Sequence, residues 1–343
     1  MSLETTSSAL RRSVLDLLWA QWTDLGVSGT RGSGASIIDP EALVMATLDV
    51  GRFDPRLFDE VLDWLALNGD VLDVTRLRRL MRTGAPGQQR LARVVIDFMR
   101  KRGTGSKWAP LSNEWQAGES SAVYSAQSLF WSASGDDLPV FGEHDPFFAS
   151  YGFTRPTLGL RQMSDKPHLE RPCLARLAAR ALVGIGVRAE VLAYLWTHDN
   201  AHGRLISTRT DYSQRQVSEY LAGLAVAGFA ERFEDGKSVQ YRLVESLRWQ
   251  PASASRYVDW ARAFSALGAI QRSLAEAAAA DSRYEASVIV RSSLTTLRAA
   301  LPIEGLALPL PKPEAFPGES VLGHAEEIVT STAHLLTQLA QPR

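Results

Sequence analysis

Around residue 213 the chain gathers side chains suited to hydrogen-bonding with base edges and phosphates. Ser213 and Gln216 are spaced S-x-x-Q, the pattern in which a hydroxyl and an amide satisfy the first free N–H groups of a helix. A helix is therefore expected to open there. Val217, Leu221 and Leu224 follow at i, i+4 and i+7 as an apolar stripe. A rotation of 100° per residue sets Arg215, Glu219 and Ala222 on the opposite side, flanked by Ser218. An arginine held outward near a helix N-terminus has the geometry for a bidentate pair with guanine. Glu219 is awkward beside phosphate, although a carboxylate can accept from cytosine N4.

The elements that must hold these residues run from Val187 to Leu243. Three amphipathic segments come first, with Thr210-Asp211-Tyr212 as the turn before the third. A strand, AERF, and a second, SVQYRL, follow around EDGK. Val239, Tyr241 and Leu243 alternate as in a half-buried strand, Asp235-Gly236 is a hairpin signal, and Lys237 falls at the tip within reach of a phosphate. This order reads as a winged helix-turn-helix.

YSQRQVSEYLAGLAVAGFAER followed by DGKSVQYRL resembles the recognition helix and wing of winged-helix transcriptional regulators of the MarR/ArsR type. The likeness covers roughly 60 of 343 residues. It implies DNA contacts from Gln214, Arg215, Ser218 and Lys237. Arg209, Tyr212 and Ser213, at the turn and the helix start, complete the candidate DNA-binding set. Double-stranded DNA is the expected partner, bound by a homodimer because operators present two half-sites.

Charge complicates this expectation. Between Val187 and Leu243 seven basic residues meet seven acidic ones, and a neutral module holds phosphate weakly unless its charges segregate by face. A protein-interaction or antitoxin-like factor whose winged helix reads no bases is the alternative. From Arg76 to Lys107 there are ten basic residues against Asp97 alone, whereas Asp39 to Asp73 holds nine acids against Arg52 and Arg56. The two runs could neutralise each other as packed neighbours or across a dimer. Otherwise Arg76, Arg79, Arg82, Arg90, Arg100, Lys101 and Arg102 form a second basic surface, within a degenerate second helix-turn-helix.

The fold class expected is mainly α: a central winged helix with a small β-hairpin, flanked by helical domains. Residues 1–104 read as an N-terminal helical domain. Asp39-Pro40 and Asp54-Pro55 open helices that Gly51 and Gly69 would close in the left-handed conformation. Residues 105–172 lack a sustained helical period but carry too many aromatics for a disordered linker, and so should wrap across another domain with one or two short helices or strands. Residues 173–250 form the DNA-binding domain. Residues 251–343 form a C-terminal helical domain in which Ile328, Leu335, Leu336 and Leu339 could meet a partner chain or an intrachain core.

Composition bounds the rest. Net charge is −1, with 45% hydrophobic and 22% charged residues, ordinary for a soluble globular protein. Cys173 is the only cysteine, which excludes an internal disulfide and a multi-cysteine zinc site. No apolar run approaches the 18 or so residues of a membrane span, and a cytoplasmic location is expected. The loop from Gly26 to Gly34 lacks the Lys-Ser/Thr pair of a phosphate loop. His198 and His202, four apart, invite a metal, but Asn200 and Gly203 suggest that the helix ends between them. No metal site, cofactor or catalytic set is expected; an enzyme is the third alternative, and any effector is unspecified.

Overall fold

The computed structural model describes residues 3–29, 32–102, 105–116, 125–236, 238–308 and 310–341. It is mainly helical, with one antiparallel hairpin and one short parallel pair of strands among these residues. No helix in them is long and apolar enough to cross a membrane.

Helix α1 (Leu3–Asp24) buries Leu10, Val14, Leu17, Leu18 and Trp22. Helices α2 (Pro40–Val50) and α3 (Pro55–Asn68) open on Asp39 and Asp54, whose carboxylates accept from Ala42 and Leu57 N–H groups, with proline at the first helical position. Their ends depart from expectation. Gly51 and Gly69 have φ of −63° and −61°, and each continues into a short 3-10 turn. What these positions require is room. A Cβ on Gly69 would stand 2.8 Å from the Trp108 ring, and one on Gly51 would stand 2.8 Å from Thr47.

Helices α4 (Val74–Thr83) and α5 (Pro86–Arg102) follow. The aromatic-rich segment then begins with α6 (Gly105–Gln116), which carries Pro110 inside it and buries Trp108 and Leu111. Beyond it, β1 (Gln127–Ser128) pairs in parallel with β2 (Phe153–Thr154), and α7 (Pro146–Ala149) lies between them in sequence. The aromatics pack onto the N-terminal helices: Phe130 on Phe58 and Phe148 on Phe98, with ring centroids 5.6 and 5.5 Å apart. Burying such rings offsets the cost of ordering a segment with little regular structure.

Next come α8 (Ala175–Val183), α9 (Val187–Thr197), α10 (Gly203–Thr210) and α11 (Gln214–Val226), and then the hairpin of β3 (Ala230–Asp235) and β4 (Ser238–Leu243). Helices α12 (Trp260–Ala278), α13 (Arg283–Ala299) and α14 (Ser320–Ala340) complete the chain.

Two hydrophobic cores result. One joins α1–α6 and residues 129–177 to α12–α14; the other belongs to α8–α11 and the hairpin. The C-terminal helices therefore share the core of the N-terminal ones, α1 lying on α14 and α12, and α12 on α2. Ile328, Leu336 and Leu339 are buried in that core and Leu335 packs against it, so the stripe on α14 is used within the chain.

Candidate nucleic-acid interface

Ser213 takes extended backbone, and its Oγ accepts from Gln216 N–H at 3.3 Å while its hydroxyl donates to Gln216 Oε1 at 2.8 Å. The reciprocal link of the motif thus closes side chain to side chain. Val217, Leu221 and Leu224 are buried in the second core, and Gln214, Arg215 and Ser218 are exposed on the other side of α11. The Arg215 side chain is 86% exposed and its Nε donates to Glu219 Oε1 at 2.8 Å. An exposed pair of this kind is weak and competes poorly with a bidentate base contact.

Two other candidates point inward. Tyr212 is 8% exposed, and its hydroxyl donates to the Asp73 carboxylate. Burial, reinforced by that bond, pushes the phenol well above its ordinary range. Arg79 stacks over the Tyr212 ring with its guanidinium carbon 4.6 Å from the centroid, and donates to the Asp211 carbonyl. Asp211 itself sits in the left-handed region at φ 60°, closing the turn before α11. Arg209 is engaged with Glu304 at 2.7 Å and Asp259 at 3.6 Å. The turn before α11 is therefore fastened to α4 and to the loop that carries Glu304.

In the hairpin, Asp235 pairs with Ser238, which moves the two-residue loop one position on from Asp235-Gly236; Gly236 has φ 59°. Lys237 lies outside the described residues. Ala201, between α9 and α10, bridges Tyr241 of β4 through two backbone hydrogen bonds of 3.0 and 2.9 Å.

The basic run from Arg76 to Lys107 is divided by the fold. Arg76 is not on the surface: it is fully buried, bound to Asp39, Glu41 and Asp211. It belongs to an ion cluster in which Arg180 bridges Glu41 and Glu190, and Arg176 meets Glu190 and Tyr257. Burial alone would weaken every one of these charges, but mutual attraction overrides it and holds Asp39 and Glu190 below the usual carboxylate range. Arg176 and Arg180, four apart on α8, were overlooked in the sequence; their signal is two arginines on the buried side of α8.

Arg90 donates to the Tyr151 carbonyl at 2.5 Å, and Arg100 and Lys101 hold Asp97. Arg82 and Arg102 are exposed, the latter 5.5 Å from the Phe98 centroid. Helix α4 packs on α2, α5 and α6, burying Arg76, Leu77 and Met81.

The two histidines separate. His198 lies beyond the end of α9, its Nε2 2.8 Å from Glu304 and its Nδ1 2.8 Å from the Tyr194 carbonyl. His202 caps α10, accepting from Leu205 N–H. Among the described residues no group of three or more side chains is arranged to hold a metal ion. Burial raises the Cys173 thiol to about 12, an inert core position. Compared with family models, curated proteins and solved structures, the chain gave no match.

Proposed function

We propose that residues 173–250 carry a winged helix-turn-helix and that the protein is a cytoplasmic transcriptional regulator binding double-stranded DNA as a homodimer. One observation carries this reading: α11 buries Val217, Leu221 and Leu224 while presenting Gln214, Arg215 and Ser218 to solvent at an end fixed by Ser213. That is the arrangement a major-groove helix needs, since its N-terminal residues meet base edges. The Ala201 bridge adds a third strand position to the hairpin, as a wing requires. Arg209 and Tyr212 then serve as positioning residues, anchoring the turn from behind. Of the second basic surface, Arg82, Lys101 and Arg102 are exposed, and Lys101 is paired with Asp97.

A second reading, a protein-interaction or antitoxin-like module that reads no bases, is favoured by Glu219, which neutralises Arg215 from the edge of the outward face. A gel shift against genomic fragments flanking the protein's own gene separates the two. Arg215→Ala should weaken binding to a preferred fragment about ten-fold or more, the cost of a lost bidentate pair. Wild-type binding indistinguishable from Arg215→Ala at every salt concentration would sink base reading by α11.

A further inference from the structure

Of nine exposed large apolar side chains among the described residues, four fall between residues 182 and 229: Leu182, Ile185, Val226 and Phe229. Leu182 and Phe229 line a groove of about 740 Å³ between the α8–α9 turn and one flank of α11. Gly184 and Gly186, with φ of 82° and 134°, turn the chain so that Ile185 stands 46% exposed between them. Single exposed apolar residues are ordinary, but two on the walls of one groove, with Val183, Val187, Leu192 and Leu247 lining it between them, make a surface suited to cover by another molecule.

The groove also carries both signs of charge. Arg188 is exposed and has no ion-pair partner among the described residues. Glu219, also on the groove, is 62% exposed and held within its own chain by the exposed Arg215, a weak pair that Arg188 of a second copy can replace. A two-fold interface places a patch against itself, so it must be complementary to its own copy. A patch with a single sign would repel its duplicate, whereas one arginine and one glutamate pair twice.

We propose that this groove is the homodimer interface: a second copy of the chain seats its own Leu182–Phe229 patch there, each Arg188 opposite Glu219 of the other copy. On α11 the groove takes Gln216, Glu219, Tyr220, Gly223, Leu224 and Ala227. At 100° per residue these centre on the flank away from Gln214 and Ser218, with Glu219 at its edge beside Arg215. Docking therefore takes up Glu219 and leaves Gln214, Arg215 and Ser218 open. The interface deepens the reading above and rests on it for its purpose, two half-sites; its measurement does not.

Sedimentation velocity of the full chain without DNA, over a range of concentrations, is the test. A dimer is expected. Arg188→Glu and Leu182→Asp, both at exposed positions, should each raise its dissociation constant about ten-fold or more, with unchanged circular dichroism. Arg188→Glu combined with Glu219→Arg should restore it to within a few-fold of wild type. A monomer at every concentration overturns the proposal. So does a dimer indifferent to Arg188→Glu and Leu182→Asp, which would place the contact elsewhere. Failure of the double variant to recover overturns the self-pairing of charge. Mass reports on the groove and the gel shift on α11, so either can fail alone.

Discussion

Asp97 shows how one residue of a basic run can be turned to structural use. It lies at 5% exposure on α5 and accepts from Tyr151, from Ser112 at 3.0 Å, and from Arg100 and Lys101. Burial alone would raise its carboxyl, but these four donors outweigh it and hold the pKa at about 2. An unfolded aspartate titrates near 3.9. The folded value is depressed, so the stabilisation is complete above about pH 4 and is lost as pH falls toward 2. Asp97→Asn should therefore lower the melting temperature most at neutral pH, with the gap to wild type closing between about pH 4 and pH 2. Thermal unfolding of both proteins across that window checks it, and a gap that stays constant would detach Asp97 from acid stability. The two arginines nearest the proposed reading helix divide in the same way: Arg215 faces water, whereas Arg209 is bound to Glu304.

At the scale of elements, legibility followed the reach of the forces involved. Helix α11 was readable because its cap and its apolar stripe are local: Ser213 reaches only to Gln216, and Val217, Leu221 and Leu224 recur on one side. Ser213→Ala should cost about 1 kcal/mol, the usual worth of an N-cap. Thermal unfolding would show the loss, and faster amide exchange confined to the first turn of α11 would show where it arises. The positions of Tyr212 and Arg209 were not readable, because their partners Asp73 and Glu304 lie 139 and 95 residues away. Gly69 was misread for the same reason. A glycine after a helix suggests a left-handed close, but the Trp108 ring sets the demand, from another helix. Residues 105–172 were expected to hold short helices or strands, but the place of α6 was not readable because it is held by burial of Trp108 and Leu111 rather than by a clear helical period.

For the whole molecule, the ion cluster is a buried tie between the two cores, beside the Tyr212–Asp73 and Arg209–Glu304 bonds. Arg180, on α8, donates to Glu41 of α2 at 2.7 and 2.8 Å and to Glu190 of α9 at 2.8 Å, all three being buried. Removing Arg180 leaves the three buried carboxylates Asp39, Glu41 and Glu190 against two arginines, an uncompensated charge in a dry interior, so Arg180→Met should destabilise by about 3–5 kcal/mol. Denaturant unfolding measures that loss, and a change within 1 kcal/mol would show that water or a neighbouring arginine compensates. The same cohesion decides how the second basic surface must be tested. Residues 1–104 share their core with α12–α14, so deleting them would expose that core rather than subtract a binding site. Neutralising Arg82 and Arg102, both exposed, removes charge without touching it. Each phosphate contact releases counterions and contributes about 0.9 to the slope of log affinity against log salt. If both arginines touch DNA, Arg82→Gln with Arg102→Gln should flatten that slope by nearly two units while leaving the preference for one fragment over another intact. A slope equal to wild type would confine binding to α11 and the hairpin. Arg76, fully buried among Asp39 and Glu41, should contribute nothing to the slope in either case.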